Sequence, residues 1–227
     1  MKKLLLCGCH FYHRIPMETL QTIEASCTAA GMVCEVVPDL CFWAAKTPEK
    51  LRKLAEYDAI GACQERVVET FWEGAGSPTC FDLRTLSAED FLAKFASEVE
   101  ITRFSEGSQA WETRFSEKPS EWIPWFPVID TQRCVNCRKC VDFCMFGVYA
   151  VDVSNRVRVV QPESCKTNCP ACARMCPQNA IIFPKSEEPP LNGSLAEVVK
   201  PSEEAALSLK ERLHQRKKPR LFKEDEA

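Results

Sequence analysis

The chain has 227 residues, of which 45% are hydrophobic and 27% are charged, and its net charge is −3. This balance is typical of a soluble globular protein and gives no sign of nucleic acid or an anionic membrane as a partner. The length suffices for two small domains, and the sequence has no run of about 18 apolar residues, which a membrane span would need.

Cysteine is the unusual component, with 15 residues, eight of them between Cys134 and Cys176. An odd number of cysteines does not fit a framework made only of disulfides. Before Cys7 the chain has only three successive leucines, fewer than the roughly 7–15 apolar residues of a signal peptide. We therefore expect a cytoplasmic protein, because dense cysteines in a reducing compartment usually serve metal or redox chemistry.

Residues 1–105 are predicted to form a cysteine-containing α/β domain, with helices around a small, mostly parallel sheet. Strands are predicted at Lys3–Cys7, Val33–Val37 and Ala59–Cys63. Helix signals lie at Pro16–Gly31, from Thr47 onward, at Val67–Trp72 and after Ser87. They combine apolar spacing with proline or a capping residue near the start.

Two further segments flank a cysteine-rich region. Residues 106–127 are predicted to be an aromatic and proline-rich linker, since Pro124 and Pro127 exclude a regular helix there. We expect its aromatic side chains to pack on one or both neighbouring modules. Residues 185–227 are predicted to be a charged tail that is partly helical, over Ser202–Arg216, and basic beyond that helix.

Residues 128–184 contain two cysteine runs, C-x2-C-x2-C-x3-C from Cys134 and C-x3-C-x2-C-x3-C-P from Cys165. They resemble the runs of bacterial ferredoxins with two 4Fe–4S clusters, in which the fourth cysteine of each run binds the other cluster. The resemblance assigns one cluster to Cys134, Cys137, Cys140 and Cys176. It assigns the other to Cys165, Cys169, Cys172 and Cys144.

The flanks of these runs predict an α+β ferredoxin-like domain. Pro127–Asp130 and Ala180–Phe183 are predicted strands, and Val148–Val151 is expected to pair with Val157–Val160 across a turn at Ser154 and Asn155. The second run has one extra residue, so its cluster is either an intact cubane or, if one ligand is weakened, a labile or a three-iron cluster. Zinc fits less well, because eight closely spaced cysteines are too many for one tetrahedral ion and two ions leave the spacing unexplained.

Four N-terminal cysteines form a second pattern. Cys7, Cys9, Cys41 and Cys63 each lie at or just beyond the end of a predicted strand or its following turn. The carboxyl ends of parallel strands meet at one edge of a sheet, where binding sites assemble. These thiols would suffice for a third iron–sulfur cluster, with Cys80 as an alternative ligand. The other interpretation is inert packing or a reactive thiol.

The N-terminal region also resembles that of heterodisulfide reductase A subunits, over roughly residues 3–86. The resemblance is carried by Leu6–His10, Asp39–Cys41 and Tyr57–Cys63, with Glu65 and Phe71. It implies an iron–sulfur cluster or a place in a larger electron-transfer complex. The flavin-binding domain of that family has no counterpart in these residues. We expect Cys27 and Cys34 to pack as small hydrophobic residues, and His10 and His13 to be ordinary loop residues.

Three functions are compatible with the sequence. The favoured one is an electron carrier or electron-transfer subunit between donor and acceptor oxidoreductases, without catalysis of its own, because no glycine-rich nucleotide loop or catalytic triad order is present. The second is a subunit of a heterodisulfide-reductase-like enzyme, with thiol or disulfide chemistry at the N-terminal cysteines. The third is a sensor or scaffold with structural clusters.

Overall fold

The computed structural model describes residues 2–71, 78–97 and 122–194. Its N-terminal half contains the strands β1 (Lys3–Cys7), β2 (Val33–Val37), β3 (Ala59–Ala62) and β4 (Thr79–Asp82). They form one parallel sheet in the order β2-β1-β3-β4. The predicted small parallel sheet is confirmed. Its fourth strand was not predicted, because it is short and only partly buried.

Helices connect these strands: α1 (Met17–Ala29), α2 (Leu40–Lys46), a 3₁₀-helix (Pro48–Glu56), α3 (Glu65–Thr70) and α4 (Ala88–Phe95). The hydroxyl of Ser87 accepts a hydrogen bond from the Asp90 N–H at 3.0 Å, as expected of an N-cap. The sequence did not predict α2, which is only seven residues long. Asp39 caps it by accepting from the Phe42 N–H at 3.1 Å.

Both faces of the parallel sheet are covered. Leu4 and Leu6 face a core built with α1 and α4, whereas Leu5 and Cys7 face a second core with α2, α3 and the 3₁₀-helix. Side chains alternate between the faces of a strand, so a central strand covered on both sides is apolar throughout. The three leucines of β1 are accordingly all fully buried.

The C-terminal half consists of β5 (Val128–Ile129), α5 (Lys139–Phe143), β6 (Tyr149–Val151), β7 (Val157–Val159), α6 (Ala171–Met175) and β8 (Ile181–Ile182). Strands β5 and β8 pair antiparallel, as do β6 and β7. The predicted hairpin is therefore present. Asn155 adopts φ +63° in its turn, a left-handed conformation that asparagine tolerates better than most residues.

The described residues all belong to the first compact unit of the chain. Trp125 packs in a core with Val148 and Phe183, whereas Phe126 packs against Cys41 and Cys63. The aromatic segment thus contacts both halves of the first unit. The predicted linker up to residue 121 and the tail from residue 195, with its helix, lie outside the described residues. The proposed division into four segments stays a prediction.

None of the helices in the described ranges is long and apolar enough to cross a membrane.

Candidate functional site

The first sulfur site, called site I, lies beside the β5–β8 pair. Its thiols line one small cavity whose walls include Ile129, Val157 and Ile181, and they belong to Cys134, Cys137, Cys140 and Cys176. Three of the four come from the first cysteine run and the last from the end of the second run. The structure therefore brings together the four residues that the ferredoxin resemblance assigns to one cluster.

The backbone of the first run is shaped as a tight loop. Asn136 and Arg138 have φ of +53° and +64°, which turns the chain sharply before α5 begins. The side-chain oxygen of Asn136 accepts from the Val157 N–H at 3.0 Å and so fastens the loop to β7. At the base of the loop the Cys134 N–H donates to the carbonyl of Asp130 at 2.9 Å. Local turns and these two anchors direct the sulfurs inward.

The second sulfur site, called site II, combines Cys144 with three thiols of the second run. The pKa of Cys165 is raised to about 12, mainly by burial and in smaller part by the neighbouring charges of Cys172, Cys169 and Cys144. Burial also raises the pKa of Cys172, where Cys144 and Cys169 again contribute. Cys144 thus lies beside the second run, which completes the crossed arrangement of the eight thiols.

Site II has a hydrogen-bond donor that the sequence did not reveal. The hydroxyl of Tyr149 donates to the Cys172 Sγ at 3.1 Å within the protein interior. Tyr149 is the first residue of β6, and burial followed by the charge of Cys172 raises its pKa. Tyr149 lies in the strand predicted at Val148–Val151, and nothing in the sequence indicates a contact with a sulfur. Its contact with a sulfur depends on how β6 packs on α6.

The extra residue between Cys165 and Cys169 is accommodated in a turn. A short 3₁₀-helix over Pro162–Ser164 ends at Cys165. Asn168 then adopts φ +60°, and the Cys169 N–H donates to the Lys166 carbonyl at 3.1 Å. The longer loop therefore closes on itself before α6 begins.

The donor set of sites I and II fits iron–sulfur chemistry. All 15 cysteines are free thiols, and the eight in question form two groups of four. A cubane needs four thiolates, each bound to its own iron. Within the described ranges, no three cysteine, histidine or acidic side chains converge on the position of a single metal ion.

The N-terminal sulfur site, as we call it, contains the four cysteines predicted at the edge of the parallel sheet. Cys7 ends β1, Cys9 follows it, Cys41 lies in the first turn of α2, and Cys63 follows β3. They are between 2% and 9% exposed. The pKa of Cys63 is raised to about 11, mainly by burial, and Cys9 is among the neighbouring charges that contribute to the rise. The predicted juxtaposition at one sheet edge is therefore present.

A charged pair that the sequence did not indicate lies within this site. The Lys185 Nζ donates to the Asp39 Oδ2 at 2.6 Å and to the Cys9 Sγ at 3.3 Å. The two side chains are 4% and 0% exposed. Lys185 follows Pro184 in a polar stretch without periodicity, so no local pattern signals its burial. Asp39 belongs to the Asp39–Cys41 motif noted above.

Charge explains how the lysine is held. Burial alone would lower the pKa of Lys185, but the charges of Asp39, Cys41, Cys9 and Cys7 outweigh that effect and raise it well above its ordinary value. The pKa of Cys41 is raised first by burial, then by Asp39 and by other sulfurs, although Lys185 opposes that shift. The electrostatics of the site therefore favour the charged form of Lys185, beside Asp39 and the sulfurs.

The remaining cysteines lie elsewhere in the N-terminal half. Cys27 is fully buried in the core formed by α1, and burial raises its pKa to about 11. Cys34 packs at the edge of the same core. Cys80 lies on β4, where Cys63 is one of the charges that raise its pKa to about 12, after burial and two glutamates. Cys80 thus neighbours the N-terminal sulfur site, whereas Cys27 and Cys34 pack as expected.

Comparison with known proteins relates part of this chain to ferredoxins. No family model matches the chain. An uncharacterised ferredoxin of Methanocaldococcus jannaschii is 39% identical over 109 residues, which are 46% of this chain and 74% of the relative. The pyruvate synthase subunit PorD of that organism is 31% identical over 71 residues, 31% of this chain and 80% of the subunit. Ferredoxin-3 of Nostoc sp. is 27% identical over 96 residues, 35% of this chain and 88% of that ferredoxin.

Proposed function

Because this chain belongs to the ferredoxins, we propose that it is a cytoplasmic electron-transfer protein, or a subunit of an electron-transfer complex, without catalysis of its own. Two 4Fe–4S clusters would supply the chemistry, which is the gain and loss of single electrons. The partners would be a donor and an acceptor oxidoreductase. The similarity to a pyruvate synthase subunit favours work within such an assembly.

The crossed grouping of thiols carries this proposal. One cluster would be bound at site I by Cys134, Cys137, Cys140 and Cys176. The other would be bound at site II by Cys165, Cys169, Cys172 and Cys144. The common cavity of the first four sulfurs and the mutual charge effects among the last four support this assignment. Without a crossing, each run would have to supply all four thiolates of its own cluster, whereas in ferredoxins with this spacing the fourth cysteine of a run binds the other cluster.

The chain's own residues would adjust the electron affinity of each site. Positive side chains lie within the loops, at Arg138 and Lys139 in the first run and Lys166 and Arg174 in the second. Positive charge near an iron–sulfur site favours the reduced form. The hydrogen bond from Tyr149 to the Cys172 sulfur acts in the same direction at site II.

The test is an iron and sulfide count on anaerobically purified full-length variants, with electron paramagnetic resonance after reduction by dithionite. Cys176→Ala should lose about four irons and the same signal as Cys134→Ala, although the two residues belong to different runs. Cys144→Ala should lose the signal that Cys172→Ala loses. Cys34→Ala, a half-buried thiol outside the sites, is the matched control. If Cys176→Ala instead resembled Cys172→Ala, the crossed assignment would be wrong.

A second candidate function draws on the N-terminal sulfur site. We propose that Cys7, Cys9, Cys41 and Cys63 hold a third iron–sulfur cluster, or perform thiol and disulfide chemistry, in a heterodisulfide-reductase-like subunit. Four buried thiols beside a buried ammonium favour the cluster, since inert packing would not require a charge. About twelve irons per chain would support it, and about eight would leave the two-cluster carrier alone. Turnover of a disulfide substrate would support the thiol chemistry.

A further inference from the structure

The ammonium of Lys185 is buried within the N-terminal sulfur site, although the residue belongs to the segment after β8. Its side chain is 4% exposed. Moving an ammonium from water into a protein interior costs several kcal/mol unless strong partners replace the water. The partners here are the Asp39 carboxylate and the Cys9 sulfur. A group held at such a cost indicates a specific electrostatic task.

The segment that delivers the lysine is fixed by the N-terminal half. The guanidinium of Arg14 donates twice to the Lys185 carbonyl, at 2.8 and 3.1 Å, and pairs with Glu187. The ring of Tyr12 lies 5.7 Å from the ammonium. The anchors of the backbone are therefore separate from the groups that bind the ammonium. Substitutions can therefore alter the position of the segment around Lys185 without removing the ammonium, or remove the ammonium without breaking the backbone anchor.

Asp39 alone would neutralise the lysine, so the additional bond to Cys9 needs its own reason. A neutral thiol is a weak acceptor, whereas a thiolate, free or bound to a metal, accepts strongly from an ammonium. Four thiolates around a metal cluster carry excess negative charge into a buried site. An ammonium aimed at one of these sulfurs compensates part of that charge.

We propose that Lys185 is a positioning residue of the N-terminal sulfur site, where its ammonium stabilises the negative charge of cluster-bound thiolates and Asp39 holds it in place. This inference rests on the third-cluster form of the second candidate function. The site is then assembled from both halves of the chain, because its charge comes from a residue beyond the ferredoxin strands. The electron affinity of the N-terminal site depends on how that segment is seated.

The two partners of this pair should act in opposite directions. Reduction adds negative charge to the site, so removal of the ammonium should lower its midpoint potential. Neutralisation of Asp39 should raise the midpoint, because a fixed negative charge disappears while the ammonium remains. A purely structural role would not produce shifts of opposite sign.

The experiment is a redox titration of the reconstituted full-length protein, followed by electron paramagnetic resonance. The relevant signal is the one that Cys41→Ala abolishes together with about four irons. We expect a lower midpoint in Lys185→Met, a value near that of the unaltered chain in Lys185→Arg, and a higher midpoint in Asp39→Asn. Arg14→Met is the control, since it removes the backbone anchor but leaves the ammonium. Iron release to an external chelator should be faster in Lys185→Met and restored in Lys185→Arg.

Each outcome decides the inference. If Cys41→Ala keeps all its iron, the N-terminal site holds no cluster and the inference fails, while the two-cluster carrier is unaffected. If Lys185→Met and Asp39→Asn shift the midpoint in one direction, or Arg14→Met reproduces the Lys185→Met shift, the lysine only seats the segment. Should Lys185→Met fail to fold by circular dichroism, an unchanged or lower midpoint in Asp39→Asn would still overturn the role.

Discussion

The sulfurs of sites I and II and those of the N-terminal sulfur site occupy opposite environments. Seven of the eight thiols in the ferredoxin half are exposed or half-buried, and only Cys172 is buried. All four N-terminal thiols are buried, and they share their site with a buried ion pair. Water and nearby loops can stabilise charge in the first case. In the second, the protein must supply every compensating group itself.

This difference shows two ways of building a sulfur site. Short runs with tight turns bring three thiols together by local geometry, and one crossing completes each set. The N-terminal sulfur site draws its thiols from the ends of separate strands and its charge from the far end of the described chain. We therefore expect the two kinds of site to respond differently to perturbation.

The largest effect is expected where Arg66 joins the two halves. Its guanidinium donates to the Asp130 carboxylate at 2.7 and 3.0 Å and to the Gly193 carbonyl at 2.9 Å. Arg66→Met leaves a nearly buried carboxylate unpaired, so we expect a loss of about 3 kcal/mol in the free energy of unfolding. Urea denaturation measures it. Iron should be lost from site I first, because Asp130 also anchors the Cys134 loop.

Lys46→Met is the control for Arg66, since Lys46 and Glu163 form another ion pair between the halves, at 30% and 51% exposure. A more exposed pair should contribute at most about 1 kcal/mol. Equal losses in the two variants would mean that the Arg66 contact stabilises the protein no more than a surface pair does.

The next effect concerns pH and the buried thiol of Cys27. Its pKa is raised to about 11 by burial, whereas a thiol in the unfolded chain ionises near pH 8.5. Above that pH the unfolded chain binds fewer protons, so stability falls as pH rises towards the folded pKa. The free energy of unfolding of Cys27→Val should therefore fall by about 2 kcal/mol less, over this pH range, than that of the unaltered chain. Denaturation midpoints at about pH 8.5 and about pH 11 measure it.

Cys34→Val is the matched control for the loss of one thiol from the same half. If both variants show the alkaline loss of the unaltered chain, Cys27 is not the group responsible. Burial of a thiol would then not account for the loss of stability at high pH.

A smaller effect is expected at the hydrogen bond to site II. Tyr149→Phe removes the hydroxyl that donates to the Cys172 sulfur at 3.1 Å. We expect a loss of about 1 kcal/mol in stability and a lower midpoint potential for site II, because the bond favours the more negative, reduced state. Site I should keep its potential. A redox titration measures the midpoint potentials of the two sites separately, and Tyr57→Phe in the N-terminal half is the control. Equal shifts at both sites would contradict a local effect.

The smallest effect is expected at Glu188, whose pair with Arg174 is 59% and 60% exposed. Glu188→Gln should change the free energy of unfolding by less than about 0.5 kcal/mol, since solvent and salt screen such pairs. Thermal unfolding at low and high salt provides the measurement. A loss as large as that of Arg66→Met would show that exposure does not separate the two ion pairs.

The parallel sheet and the hairpin at Asn155 were predictable because they depend on local patterns. Alternating apolar runs, the proline before α1 and the Ser87 cap all act within a few residues. Helix α2 and strand β4 were missed because each is short and is stabilised by packing. The 3₁₀-helix at Pro48–Glu56 took the place of a predicted α-helix start at Thr47.

The sequence alone determined which residues could serve as ligands, since thiol spacing depends only on chain order and on the reach of a tight loop. It also indicated that four N-terminal thiols would meet at one edge of a sheet. Only the tertiary structure decided that Lys185 contacts the Cys9 sulfur and pairs with Asp39, and that Tyr149 contacts the Cys172 sulfur of site II. Burial and long-range packing set these contacts, and no local pattern records how segments 146 residues apart, such as Asp39 and Lys185, come together.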